Sequence, residues 1–265
     1  MRIPILSYHT ITDDPRPGIA PLAVRPDQFE RHLDMVVAGD FDALTVCDLM
    51  ARLDAGEPLA PRTLVLTFDD GYEDNLTVAA PLLEARGLAA TVYVTTGQLP
   101  GCPQPGAGPV PGRMLPWDRL AELEAAGIEV GAHSHTHPQL DLLPRAEAMS
   151  EIRRCKGLLE DSLGHAVDSF AYPHGYATSW VREEVRRCGF RSACGVRNAF
   201  SHEQDSRWMT ARLTVRATTR TAQIQTWLDG SGAPMADRRE HLRTKAWRAT
   251  RRVRQLPLSP IRYRP

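Results

Sequence analysis

The sequence predicts an α/β fold, a barrel or distorted barrel of β/α units, and three observations point there. Short apolar runs rich in β-branched residues alternate with segments of helical period along most of the chain, the pattern of parallel strands joined by right-handed crossovers. At 265 residues the chain is long enough for one large domain. It also shows no internal repeat, and no linker-like stretch before about Gly230.

Taken in order, Ile3 to Tyr8 reads as a strand. Pro26 to Ala38 reads as a helix, with Pro26 suited to its first turn and Phe29, Leu33, Val36 and Val37 on one face. Val46 to Leu53 is a second, shorter helix and Leu64 to Phe68 a buried strand. Asn75 to Arg86 is helical, with Pro81 as a kink or the true start and Gly87 as the stop. Ala90 to Thr95 is a strand. Gln98 to Pro116, dense in Pro and Gly, is a long loop expected to border the site. Trp117 to Ala126 is a helix stopped by Gly127, and Ile128 to Ala132 is a strand. Pro144 to Leu163 is a long helix stopped by Gly164. Asp168 to Tyr172 and Phe190 to Val196 are strands flanking a helix from Trp180 to Cys188. Arg212 to Val215 and Thr221 to Leu228 form the last strand and helix, giving a domain over 1–230 and a tail over 231–265.

Lysine plus arginine equals aspartate plus glutamate at 32 each, so charge balance does not favour a nucleic-acid partner. The tail is the exception. Nine arginines between Arg238 and Arg264 make it a possible contact for an anionic membrane surface, or a plain solvated end. Five cysteines with no Cys-x-x-Cys do not form a disulfide framework. Pro4 and His9 interrupt the first apolar run, leaving it too short for a signal peptide. If the chain starts at Met1, a reduced, cytoplasmic location is the expectation.

The chemistry lies in three clusters. Thr67-Phe68-Asp69-Asp70-Gly71-Tyr72 places two adjacent carboxylates where a buried strand meets a loop, a costly arrangement unless a cation holds them. A plain turn would explain Gly71 but not both acids. His133-Ser134-His135-Thr136-His137 follows another strand. Two imidazoles and one carboxylate make a metal site with open positions. Such a metal would acidify water and polarise a carbonyl oxygen, while the second carboxylate could take the proton. Phe170-Ala171-Tyr172-Pro173-His174-Gly175 forms a sharp turn after a third strand, and its backbone N–H groups could hold an oxyanion. Tyr8-His9 ends the first strand. In such barrels the strand C-terminal ends form the reactive rim, so these clusters are expected to converge.

Together these motifs resemble the polysaccharide deacetylase family, the NodB-homology or carbohydrate esterase family 4 group. Thr67 to Gly71, His133 to His137 and Phe170 to Gly175 match its first three motifs, and Pro4 to His9 resembles the leading strand of one branch. The resemblance implies a distorted barrel of seven strands and hydrolysis of the acetamide of an N-acetylated amino sugar or glycan. It implies Asp69 as catalytic base, Asp70, His133 and His137 as ligands of a divalent metal with zinc the default, and the His174 N–H as oxyanion donor. Two features depart from the pattern. Ala171 stands where many members carry an arginine that pairs with the base, and Arg212-Leu213-Thr214-Val215 stands where a late Leu-x-His supplies the acid. His9, His174 and, more weakly, His202 are the candidate acids. With that arginine absent, His9 is expected close to Asp69 or to the attacking water, where it can either orient the carboxylate or supply the acid. A noncatalytic carbohydrate-binding barrel and an amidohydrolase acting on a non-sugar acetamide are the competing readings.

Overall fold

A computed structural model describes residues 1–106 and 111–237 of the chain, and its centre is a curled parallel sheet. The strands are β1 (Ile5–Tyr8), β4 (Asp42–Leu44), β5 (Thr63–Phe68), β6 (Ala90–Val94), β7 (Ile128–Ala132), β8 (Ser169–Ala171), β9 (Ser192–Cys194) and β10 (Leu213–Thr214). Seven of them follow the path β10-β1-β5-β6-β7-β8-β9, and β4 also pairs with β5. A parallel bridge from Cys194 to Thr210 brings the segment leading into β10 alongside β9. The sheet therefore curls almost into a barrel, as the strand–helix alternation requires. A minor pair, β2 (Thr10–Ile11) with β3 (Ala23–Val24), lies in the first loop.

Strand parity sets what faces where, because successive side chains point to opposite faces. Leu6, Tyr8, Leu64, Leu66, Phe68, Val92, Val94, Val130, Phe170 and Leu213 join the helices in the main core. Ile5, Val65, Tyr93, Ala171 and Cys194 form a separate cluster in the barrel interior. The same interior parity continues upward to Asp69, His133 and Arg212, one position beyond the C-terminal ends of β5 and β7 and one before β10. Gly131 is needed inside because a Cβ there would lie 2.5 Å from the Tyr93 ring and 2.7 Å from Ser169 Oγ.

The helices are α1 (Pro26–Ala38), α2 (Val46–Ala55), α3 (Ala80–Glu84), α4 (Leu120–Ala125), α5 (Arg145–Leu163), α6 (Ser179–Arg187) and α7 (Thr221–Leu228). In α1 the apolar face is Phe29, His32, Leu33 and Val36. Val37, expected on that face, is half exposed at 51%, because it lies 100° round from Val36. The single helix expected over Asn75 to Arg86 is split. A π turn over Asn75–Ala79 precedes α3, and Pro81 sits in the first turn of α3, where its missing N–H costs nothing. The β2–β3 pair and β4 were not expected from the sequence. They are two or three residues long, too short to show a period.

The N-terminal end of the barrel is closed by α2. Its first N–H groups donate inward, Val46 to Thr91 Oγ1 at 3.0 Å and Cys47 to Glu129 Oε2 at 2.9 Å. Glu129 also accepts from Thr91 and Ser169. A helix N-terminus over a carboxylate is a favourable electrostatic match. The Arg-rich tail from Arg238 onward lies outside the described residues.

Candidate active site

Asp69 and Asp70 follow β5 directly, and both are buried. Asp69 continues the strand parity into the barrel. Asp70 turns out of it, with a left-handed backbone at φ 78° ahead of Gly71 at φ 87°. Adjacent carboxylates thereby take different environments.

Asp69 is held by Arg212. The two guanidinium NH groups donate to Oδ1 at 2.6 Å and Oδ2 at 2.8 Å, a bidentate pair. Arg212 also donates to Thr67 Oγ1 at 3.1 Å and to the Gly195 carbonyl at 3.0 Å, and it is fully buried. Ser7 Oγ lies 3.4 Å from Oδ2. Burial alone would raise the Asp69 carboxyl, but the Arg212 charge outweighs it and holds the group well below the usual carboxylate range.

Of the two roles open to His9, orienting Asp69 belongs to Arg212, which reaches from just before β10, two strands from β5 in the sheet order, and stands in for the arginine that Ala171 lacks. Its signal was present in Arg212-Leu213-Thr214-Val215: a charged residue at the interior parity of an otherwise apolar strand. Only the pairing of β10 with β1, and of β1 with β5, shows that this position faces Asp69.

Asp70, His133 and His137 converge, each offering a ligand atom within 4.8 Å of the other two. His133 Nε2 and His137 Nε2 lie 3.5 and 3.2 Å from Asp70 Oδ1. These are not ion pairs near neutral pH, because burial pushes His133 down to about 3 and lowers His137 as well. The His133 Nδ1–H donates to the Ala171 carbonyl at 2.8 Å, which leaves Nε2 as an unprotonated acceptor. Asp70 Oδ1 is buried with no hydrogen-bond partner. The unprotonated His133 Nε2 and the unpartnered Asp70 Oδ1 face each other as lone pairs and repel unless a cation lies between them, so the donor set fits a divalent metal.

His9 is partly buried and close enough for a charge on it to act on both Asp69 and Asp70. His174 is exposed, its ring centroid 4.6 Å from that of His137. His174 and Gly175 are both left-handed, at φ 59° and 74°, and a Cβ on Gly175 would collide with Val196. His202 belongs to the other end of the barrel. Its neighbour Ser201 bridges to Ile3, ahead of β1, and its Nε2 pairs with the Ala236 carbonyl. It is therefore removed as a candidate acid.

Among the described residues, six non-glycine residues have positive φ, and four of them are Asp70, Ser134, His137 and His174. Each such position costs on the order of 1–3 kcal/mol. Their grouping marks this rim as the place where the fold tolerates strain. The long loop borders it, as expected. Leu115 N–H donates to the Gly71 carbonyl at 3.0 Å, Gly97 N–H to the His135 carbonyl at 2.7 Å, and Tyr72 bridges to Met114.

Comparison with known proteins shows the family and the fold. The family model described as Polysaccharide deacetylase matches residues 56–193. YxkH of Bacillus subtilis, whose name places it among polysaccharide deacetylases, is 24% identical over 190 residues, covering 72% of this chain and 63% of that protein. The chain thus spans under two thirds of that relative's length. The fold matches the Streptococcus pyogenes deacetylase PplD with a TM-score of 0.74 at 23% identity, covering 85% of this chain and 97% of that one. It matches IcaB from Ammonifex degensii with a TM-score of 0.73 at 22% identity, covering 86% and 97%.

Proposed function

The chain belongs to the polysaccharide deacetylase family, and from that premise we propose that it hydrolyses the N-acetyl group of an amino sugar or N-acetylated glycan. The observation that carries this reading is the division of labour between the two aspartates: Asp69 clamped by Arg212, Asp70 turned to face two neutral imidazoles. A binding barrel has no use for a separately held, ionised carboxylate beside a cation site.

Asp70, His133 and His137 would hold a divalent cation, with zinc the expectation. When bound, that ion supplies Lewis acidity toward the acetamide oxygen and the attacking water. Asp69 takes the proton from that water. The backbone N–H of His174 is the proposed donor for the developing oxyanion. His9, close enough for its charge to act on both aspartates, is the group assigned to protonate the leaving amine.

The test is acetate release from chitooligosaccharides and other N-acetylated amino sugars, with and without chelator. Chelator-sensitive release that is abolished by Asp69→Asn supports the reading. Sugar binding without release would make the protein a carbohydrate-binding barrel. Release only from non-sugar acetamides would move the substrate class.

A further inference from the structure

We propose that Glu151, on α5, is the positioning residue of the histidine loop and sets the affinity of the Asp70, His133 and His137 site for its cation. The proposal rests on the metal reading of those three residues. Glu151 Oε2 accepts from two consecutive backbone N–H groups, His135 at 3.0 Å and Thr136 at 2.7 Å. Its Oε1 accepts from Thr136 Oγ1 at 2.8 Å. One carboxylate thus takes three hydrogen bonds from the stretch that joins the two imidazole ligands.

That stretch needs holding. Ser134 and His137, on either side of it, are both left-handed at φ 63°, a conformation that side chains other than glycine's resist. Within the loop, the Ser134 hydroxyl accepts from the His137 N–H at 3.1 Å. On the far side the loop rests on residues 96–97. Thr96 Oγ1 lies 2.9 Å from His135 Nδ1, and a Cβ on Gly97 would come within 2.7 Å of the His135 carbonyl and 2.9 Å of its ring. Glu151 therefore presses the loop against a wall that leaves no room for it to shift.

The support behind Glu151 is rigid. α5 is nineteen residues long, with Ile152, Cys155 and Leu159 fully buried, and Cys155 Sγ reaches the Val94 carbonyl at the end of β6. The hydrogen bonds of Glu151 go to the loop backbone and to Thr136, and its charge also acts on His137. It holds the ligands through the loop, so Glu151 is a positioning residue and not a catalytic one. Outer partners of this kind characteristically change metal affinity by about 10–100-fold when removed.

The test is a titration of chelator-stripped protein with Co²⁺, followed by its visible absorption, and with Zn²⁺ by competition. It compares wild type, Glu151→Ala, Glu151→Gln, Thr136→Val and the ligand control His137→Ala. Glu151→Ala should bind either ion about 10–100-fold more weakly, and its kcat should recover as metal is raised. Glu151→Gln keeps one carbonyl oxygen for the two backbone donors and should stay closer to wild type. Thr136→Val, which removes one of the three bonds, should show a smaller loss than Glu151→Ala. If Glu151→Ala does not fold, the ordering of wild type, Glu151→Gln and Thr136→Val decides. Wild-type affinity in Glu151→Ala, or in both milder variants, overturns the proposal. So does a kcat deficit in Glu151→Ala that persists at saturating metal. A wild type that binds neither ion would instead overturn the metal reading beneath it.

Discussion

Asp69 faces two opposed demands. A general base must accept a proton, yet the bidentate Arg212 stabilises its charged form. The pairing keeps Asp69 ionised throughout the working pH range, so it takes a proton only transiently, as the attacking water gives it up. Asp69→Asn should keep metal binding and lose turnover by about 10²–10⁴-fold, checked by metal titration alongside acetate release. Arg212→Gln leaves a buried carboxylate without its cation and should cost about 3–5 kcal/mol in chemical denaturation. A third residue-scale prediction concerns His32, buried on α1 with its Nδ1 3.2 Å from the Tyr8 hydroxyl. Burial first, and Arg31 second, push it down from its ordinary 6.5 to about 4. The folded state therefore prefers the neutral ring. Its contribution is complete above pH 6.5 and is lost as pH falls toward 4, amounting to roughly 3 kcal/mol at most. His32→Gln should flatten the loss of Tm over that window, measured by thermal unfolding at stepped pH.

At the scale of elements, parity decides which side chains meet inside the barrel. Tyr93 lies across the interior, within 5.5 Å of the Arg212 guanidinium carbon and 3.3 Å of Cys194 Sγ, and it fits only because residue 131 has no side chain. Gly131→Ala should destabilise by about 1–3 kcal/mol through overpacking, read as a lower denaturation midpoint. It should also loosen Arg212, so turnover should fall before the fold does. The strands and helices that were legible in the sequence are those long enough to carry a period. α1 and α7 match their expected bounds residue for residue, and so does β7. The β2–β3 pair and β4 were not legible; β8, β9 and β10 are as short but were expected from longer runs, Asp168 to Tyr172, Phe190 to Val196 and Arg212 to Val215. The split of the helix near Pro81 was legible only as a choice between a kink and a start.

For the whole molecule, the closed end at α2 and the open rim at the other end leave one direction of approach to the site. The three proposed ligands come from the ends of β5 and β7, on either side of β6 in the strand order. A bound ion would tie these ends together and favour the folded state. Metal at about 100 times its Kd should add roughly 2.7 kcal/mol, seen as a higher Tm that chelator reverses. His137→Ala should show no such rise.

Legible in the chain alone are the order of the main strands and helices and the three motifs that carry the paired aspartates and the proposed metal ligands. These are local properties, written in neighbouring residues. What only the tertiary structure decided is which residues meet across the curl. Arg212 stands 143 positions from Asp69, and Glu151 sits on the polar side of a long helix like any other acid. A charge in an apolar strand is the one local hint at Arg212, and nothing near Glu151 in the chain distinguishes it. Their roles exist because β10 pairs with β1, and because α5 lies against the end of β6. Those contacts are set by the burial of whole faces, a sum over many side chains that no single motif contains.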